Sequence, residues 1–180
     1  DSHGWVSEEA RRLGVFGERK VDGIVIVPSD RIASAAALRA VPDDVAVVQV
    51  DRSTGPAIAD FVGVDNDAGM RLVVDHLVER GVRRVAYAGA DDVTSAGVER
   101  WEALLREARR AGLTIASRFH GEFNIASGAQ AASELLAAGP LPEAVIAGSD
   151  LNAVGVIARL RESGVRVPED VLVTGFDDTE

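Results

Sequence analysis

Apolar residues recur along this chain with two periods, near 2 and near 3.6 residues, and the switching between them predicts its elements. The clearest case is residues 61–90, FVGVDNDAGMRLVVDHLVERGVRRVAYAGA, which read as a short buried strand at 61–64, a helix, and a second apolar strand at 85–89. Met70, Val73, Val74, Leu77 and Val78 fall on one helical stripe that faces a core, while Arg71, Asp75, Glu79 and Arg80 face water. Asp65 and Asn66 are suited to cap the free N–H groups at the helix start, and Gly81 suits the left-handed residue after its end.

The same rhythm runs through the rest. Residues 7–20 predict a helix with Ala10, Leu13 and Phe16 inward, and the β-branched run VDGIVIVP at 21–28 predicts a central parallel strand covered on both faces. Ser29 or Asp30 caps a short helix through Arg39, and VAVVQV at 45–50 gives the next strand. A helix at 98–111 carries Trp101, Leu104, Leu105 and Ala108 on one face and closes at Gly112 before a strand at 113–118. Residues 126–138 present Ala129, Ala132, Leu135 and Leu136, ending at Gly139 and Pro140 before a strand at 144–147; a helix at 150–163 stops at Gly164 and leads to VLVTG at 171–175. Repeated helix–glycine–strand units imply right-handed crossovers and a doubly wound α/β fold.

Composition narrows the function. With 180 residues, 47% of them hydrophobic, and a mean hydropathy of +0.08, the chain can bury a substantial core as one domain or two small lobes. The longest apolar run, at 21–28, is broken by Asp22 and too short to span a bilayer, so no membrane partner is expected. The chain opens in polar residues without the pattern of a secretory signal, and the absence of cysteine excludes disulfides and thiolate chemistry and favours a cytoplasmic origin. A net charge of −10 argues against this segment gripping a phosphate backbone, leaving nucleic-acid contact to another part of the gene product. Lys20 is the only lysine, which removes a Walker P-loop, and the three histidines are dispersed with no HExxH pair.

In open parallel sheets ligands bind beyond the carboxyl ends of the strands. Those ends supply Ser29 and Asp30, Asp51 and Arg52, Asp65 and Asn66, then Asp91, Asp92, Thr94 and Ser95, Phe123 and Asn124, Ser149 and Asp150, and Asp177 and Asp178. Such hydroxyls, amides and carboxylates, with an aromatic and a nearby arginine, suit a neutral polyhydroxy ligand. There is no nucleophile–base pair, no metal-ligand spacing and no cofactor motif, so no catalytic residue, metal or cofactor is expected. Several of these residues also have an ordinary structural reading: Ser149 and Asp150 as helix caps, Asp91 and Asp92 as turn residues, Asp177 and Asp178 as caps for a following helix.

The segments VDGIVIVPSD, VVQVDR, VGVDNDAGMRLVVDHLVERGVRRVAYAG, ERWEALLREARRAGL and AVIAGSDLNAVGVIARLRESGVRVPEDVLVTGFDD, in this order, resemble the effector-binding domain of LacI/GalR-type transcriptional regulators, themselves similar to periplasmic sugar-binding proteins. The resemblance implies a two-lobed periplasmic-binding-protein-like (type I) α/β fold with parallel sheets in three-layer lobes, truncated at both ends. Residues 1–63 would form a partial N-terminal lobe and 64–180 the C-terminal lobe. It also implies a small polar effector, a sugar or related metabolite, held in the interlobe cleft. Effector binding would control operator DNA binding by an N-terminal helix-turn-helix outside this chain, in a homodimer. Position by position it gives Arg100 the leading role, in R-W-E-A-L context, as a guanidinium fork for ligand oxygens. Asp177 and Asp51 correspond to acidic ligand acceptors, Phe123 to an aromatic on the ligand face, and Thr94 and Ser95 to loop hydroxyls. Asn66 becomes a hinge-side residue of the cleft, and Ser149 stands where many members have asparagine, which changes the hydrogen-bond pattern there. The other readings are a solute receptor of a sugar transport system and a small Rossmann-like enzyme, the latter disfavoured by the lack of GxGxxG.

Overall fold

The computed structural model describes residues 4–179. The chain forms two compact units, Asp1–Asp65 with Asp92–Val98, and Asn66–Asp91 with Glu99–Glu180.

The first unit contains α1 (Val6–Glu18), β1 (Gly23–Ile26), α2 (Ser34–Arg39), β2 (Ala46–Val50) and β3 (Asp60–Val62), the strands pairing in parallel in the order β1-β2-β3. Its core gathers Leu13, Ile24, Leu38 and Val45. Three expectations are corrected here. The inward face of α1 is made by Glu9 and Leu13, whereas Ala10 and Phe16 are exposed; the Glu9 carboxylate accepts the backbone N–H of Ser29 at 2.7 Å, so a polar group takes the position that apolar spacing assigned to Ala10. β1 stands at an end of the strand order among the described residues, and Val25 is 75% exposed, so this run is covered on one face only. β3 and the residues after it are exposed rather than buried, including Phe61, Val62 and Val64. The segment 92–98 joins this unit through main-chain contacts: Arg31 donates its N–H to the Val93 carbonyl at 2.8 Å and its Nε to the Asp92 carbonyl at 2.9 Å.

The second unit contains α3 (Asn66–Glu79), β4 (Arg84–Ala90), α4 (Ser95–Ala111, whose first turn groups with the first unit), β5 (Thr114–Gly121), α5 (Ile125–Ala137), β6 (Ala144–Ala147), α6 (Asp150–Glu162) and β7 (Leu172–Thr174). All pairings are parallel, in the order β5-β4-β6-β7. Alternate residues of β4 enter opposite cores, as strand geometry requires. Val85 and Tyr87 pack with Met70, Val74, Leu77 and Leu104 from α3 and α4. Ala86 and Ala88 pack with Ala132, Leu135, Val156 and Leu160 from α5 and α6. That is the three-layer α/β/α arrangement. Gly81 (φ 84°) ends α3 and Gly112 (φ 69°) ends α4, backbone angles that a side chain would resist. None of the described helices is long and apolar enough to cross a membrane.

α5 and α6 meet at their backbones. A Cβ on Gly128 would overlap the carbonyl oxygen of Asn152, and one on Gly155 would overlap that of Ile125. Just before β6, the Glu143 carboxylate accepts the backbone N–H groups of Arg83 and Arg84 at 2.6 and 2.7 Å, and these bonds hold its pKa below the ordinary glutamate value of 4.5. Because the folded-state value is the lower one, the stabilisation is complete above the unfolded value and disappears as pH falls through the folded one. Glu143→Gln therefore unfolds at lower urea concentration than wild type at neutral pH, and the gap between the two midpoints closes as pH drops below about 4.5. A gap that stays constant with pH would show that the carboxylate charge is not what holds these N–H groups.

Candidate functional site

Arg100 is the centre of the polar arrangement in the second unit. It sits on α4 directly after Glu99, is 3% exposed, and belongs to the helical face that also buries Ala103 and Leu104. A cation so buried must be matched by acceptors. Its Nε donates to Asn66 Oδ1 at 2.9 Å, one Nη to the Gly148 carbonyl at 2.6 Å, and the other Nη to Asp177 Oδ1 at 2.9 Å. Phenyl rings of Phe176 and Phe123 lie 3.9 and 5.2 Å from the guanidinium carbon, both within cation–π range. Of the five N–H groups of a guanidinium, these bonds use three and leave one on each Nη. The charge is already balanced by the Asp177 carboxylate, so the remaining donors suit neutral oxygens as well as anionic ones.

Each partner arrives from a different element. Asn66 opens α3, but its amide does not cap that helix as expected: Oδ1 faces Arg100 while Nδ2 donates to Glu99 Oε2 at 2.7 Å. The carboxylate of Glu99 thereby fixes which end of the amide meets the guanidinium. Asp177 follows β7 with φ 109°, outside the region a side-chain-bearing residue prefers, and no described helix follows it to be capped. Strain of this kind persists where surrounding bonds over-determine it, which makes it a marker of functional positions. Phe176, which sequence reasoning had not singled out, occupies room left by Gly69 on α3, since a Cβ there would overlap its ring. The GFDD motif was its available signal.

Ser149 follows the Gly148 carbonyl but turns away. Its Oγ accepts the N–H of Asn152 at 3.2 Å and its hydroxyl donates to Asn152 Oδ1 at 3.0 Å, so it is the N-cap of α6 with its single hydrogen engaged. Asn152 is a further residue that sequence reasoning passed over; periodicity registered it only as a position inside a helix.

In the first unit, Asp51 follows β2 with φ 64°, its N–H donated to the Val62 carbonyl at 3.0 Å and its carboxylate 3.6 Å from Arg52 Nε. Ser95 Oγ accepts the N–H of Ser53 at 2.9 Å, which brings Ser95 to the turn after Asp51, and Thr94 Oγ1 accepts the N–H of Gly97 at 3.2 Å. Both hydroxyls accept in these bonds and keep their hydrogens available to donate. The structure thus joins Arg100, Asn66, Asp177 and Phe123 in one cluster, and in the other unit bonds Ser95 to Ser53, two positions after Asp51. Among the described residues no group of His, Asp or Glu is placed to hold a metal ion. A surface hollow of about 460 Å³ beside α3, lined by Leu72, Val73, Asp75, His76, Glu79 and Thr174, shares none of these groups.

Comparison with known proteins bears on the family and the fold. The family model described as a periplasmic binding protein-like domain matches residues 74–180. The HTH-type transcriptional regulator CelR of Thermobifida fusca is 44% identical over 124 residues, covering 66% of this chain and 36% of CelR. The crystal structure of the Lac repressor dimer bound to operator and the anti-inducer ONPF superposes with a TM-score of 0.85 at 26% identity, over 98% of this chain and 61% of that one. An ABC transporter solute-binding protein from Burkholderia multivorans superposes with a TM-score of 0.87, also at 26% identity, over 97% of this chain and 65% of its own. The chain therefore spans less than two thirds of each of these relatives. With more than half its length inside the family match and regulators among its relatives, the chain belongs to the periplasmic binding protein-like domain family, the one to which the effector-binding domains of LacI/GalR-type regulators belong.

Proposed function

We propose that this chain is the ligand-sensing domain of a bacterial LacI-type transcriptional regulator that binds a small polar effector, a sugar or a related metabolite. The observation that carries the reading is Arg100: a buried guanidinium, charge-balanced by Asp177, flanked by two phenyl rings and retaining two N–H donors. A sugar presents vicinal hydroxyls to such a fork and an apolar C–H face to an aromatic ring. Asp177, Phe123 and Asn66 act with it in the second unit. Asp51, Thr94 and Ser95 are the effector-facing groups of the first. The presence of two compact units supports the reading of 1–63 and 64–180 as two lobes, although residues 64–65 and 92–98 group with the first. Binding shifts the population between conformations that differ in their affinity for operator DNA. The DNA contact belongs to a helix-turn-helix elsewhere in a cytoplasmic, homodimeric protein, in keeping with the acidic charge of this part. No catalytic role is assigned, since the cluster holds no nucleophile–base pair.

The similarity to the Burkholderia solute-binding protein favours a second reading, a receptor that delivers sugar to a transporter. Operator-sized DNA retained by the full-length protein and released or tightened by the effector supports the regulator; ligand binding with no DNA affinity supports the receptor.

The first experiment is a thermal-shift panel of pentoses, hexoses, disaccharides and nucleosides. A ligand present at about a hundred times its Kd stabilises by about 2.7 kcal/mol, which raises Tm by roughly 5–10 °C in a chain of this size. A flat response across the panel overturns the sensor reading.

A further inference from the structure

Asn152 is 1% exposed, and all of its amide hydrogen-bonding faces neighbours within the second unit. Nδ2 donates to the carbonyl of Glu122 at 2.8 Å and to the carbonyl of Asn124 at 3.0 Å, the two peptide oxygens on either side of Phe123. Oδ1 accepts the hydroxyl of Ser149 at 3.0 Å, and Ser149 Oγ in turn accepts the Asn152 N–H at 3.2 Å. The reciprocal bond decides the amide's orientation: a hydroxyl that donates to one end forces the NH2 end toward the loop. The loop itself has few other ties from outside. Glu122 N–H donates to Ser127 Oγ at 3.0 Å, and Asn124 Oδ1 accepts Ser127 N–H at 2.8 Å, both local. The Asp91 N–H holds the Gly121 carbonyl at 2.9 Å at the start of the loop, and the bonds from Asn152, 30 and 28 positions away, fasten the peptide oxygens on either side of Phe123 itself.

What they fasten is the ring that lies 5.2 Å from the Arg100 guanidinium carbon. The helix that carries the clamp cannot drift either, because the Asn152 carbonyl lies where a Cβ of Gly128 would stand.

We propose that Ser149 and Asn152 are a positioning pair that sets Phe123 against the ligand held by Arg100, so that α6 determines how an apolar sugar face is received without touching it. The proposal rests on the sensor reading above and deepens it. In this role Ser149 is not a ligand donor; its hydroxyl acts through Asn152.

The test uses the full chain and whichever of L-arabinose, D-allose, D-glucose and cellobiose binds it most tightly by calorimetry. Asn152→Leu keeps the branched side-chain skeleton and removes both donations; it is expected to weaken that sugar about 10-fold. In a Phe123→Ala background the same change is expected to add less than about twofold, because the object being positioned is gone. Stability alone would not produce that coupling. Should Asn152→Leu fail to give a cooperative melt, Ser149→Ala, which frees the amide to rotate, is expected to weaken binding about fivefold, with Ser149→Thr restoring it to within about twofold. The proposal is overturned if folded Asn152→Leu or Ser149→Ala binds within about twofold of wild type, or if the Asn152 and Phe123 effects simply multiply. If none of the four sugars binds the wild-type chain, this proposal fails while the sensor reading still stands on the wider panel; if Arg100→Ala leaves affinity untouched, the sensor reading fails and takes this one with it.

Discussion

Arg100→Ala lowers the unfolding free energy of the chain by about 3–5 kcal/mol and abolishes effector binding. The size follows from what the change leaves behind. A carbonyl at 2.6 Å, an amide oxygen at 2.9 Å and a carboxylate oxygen at 2.9 Å lose a charged donor together. The cost falls on the Gly148 carbonyl and the buried Asn66 amide oxygen, which are left without a donor, more than on the Asp177 carboxylate, whose side chain is 33% exposed and is rehydrated in part. Two phenyl rings also lose the cation they face. Arg100→Lys separates fold from function: the ammonium keeps the charge but presents no planar fork, so it cannot meet Asn66, Gly148 and Asp177 at once. That variant keeps most of the stability and loses roughly 100-fold in affinity. Urea unfolding and calorimetry read the two quantities. A stability loss under about 1 kcal/mol for the alanine variant would place Arg100 among ordinary surface cations.

The second large effect concerns α5 and α6. Gly155→Ala and Gly128→Ala each lower stability by about 2–3 kcal/mol, because the added methyl meets main-chain atoms and the helices must separate. Gly14→Ala, in α1, has nothing within 4 Å of the new Cβ and raises stability by about 1 kcal/mol through helix propensity and reduced unfolded-state freedom. One chemical change with opposite signs at different sites isolates the packing cause. Urea midpoints of the three variants decide it, and a Gly155→Ala variant as stable as wild type would mean that the helix pair is not held at this spacing.

Much of the second unit was legible because its signals are local. The stripe of Met70, Val74 and Leu77 is wholly buried, the glycine stops at Gly81 and Gly112 carry positive φ, and β6 spans Ala144–Ala147 as its apolar run implies. The first unit was read less well. A run such as VDGIVIVP says that a strand forms, but how many faces are covered depends on neighbours that periodicity does not name; hence exposed Val25. At the site, strand-end position brought Asp177 and Phe123 forward, and the family resemblance put Arg100 at the centre. The bridging roles of Asn66 and Asn152 were hidden for a physical reason. An asparagine near a helix start has the same local sequence whether its amide caps that helix or reaches another one, and only the tertiary path of the chain decides between them.

Arg100 fastens segments that lie 34, 48 and 77 positions from it along the chain. Closing loops of that length costs entropy that grows with the logarithm of their size, with the step from 34 to 77 adding about 0.7 kcal/mol. The helices need not wait for such closures; the guanidinium cluster must, as must the β4–β6 pairing, whose partners Val85 and Ala144 are also far apart in the chain. During folding, the site proposed for the effector is therefore completed after the helices, and a partly folded chain carries those helices without the assembled guanidinium cluster.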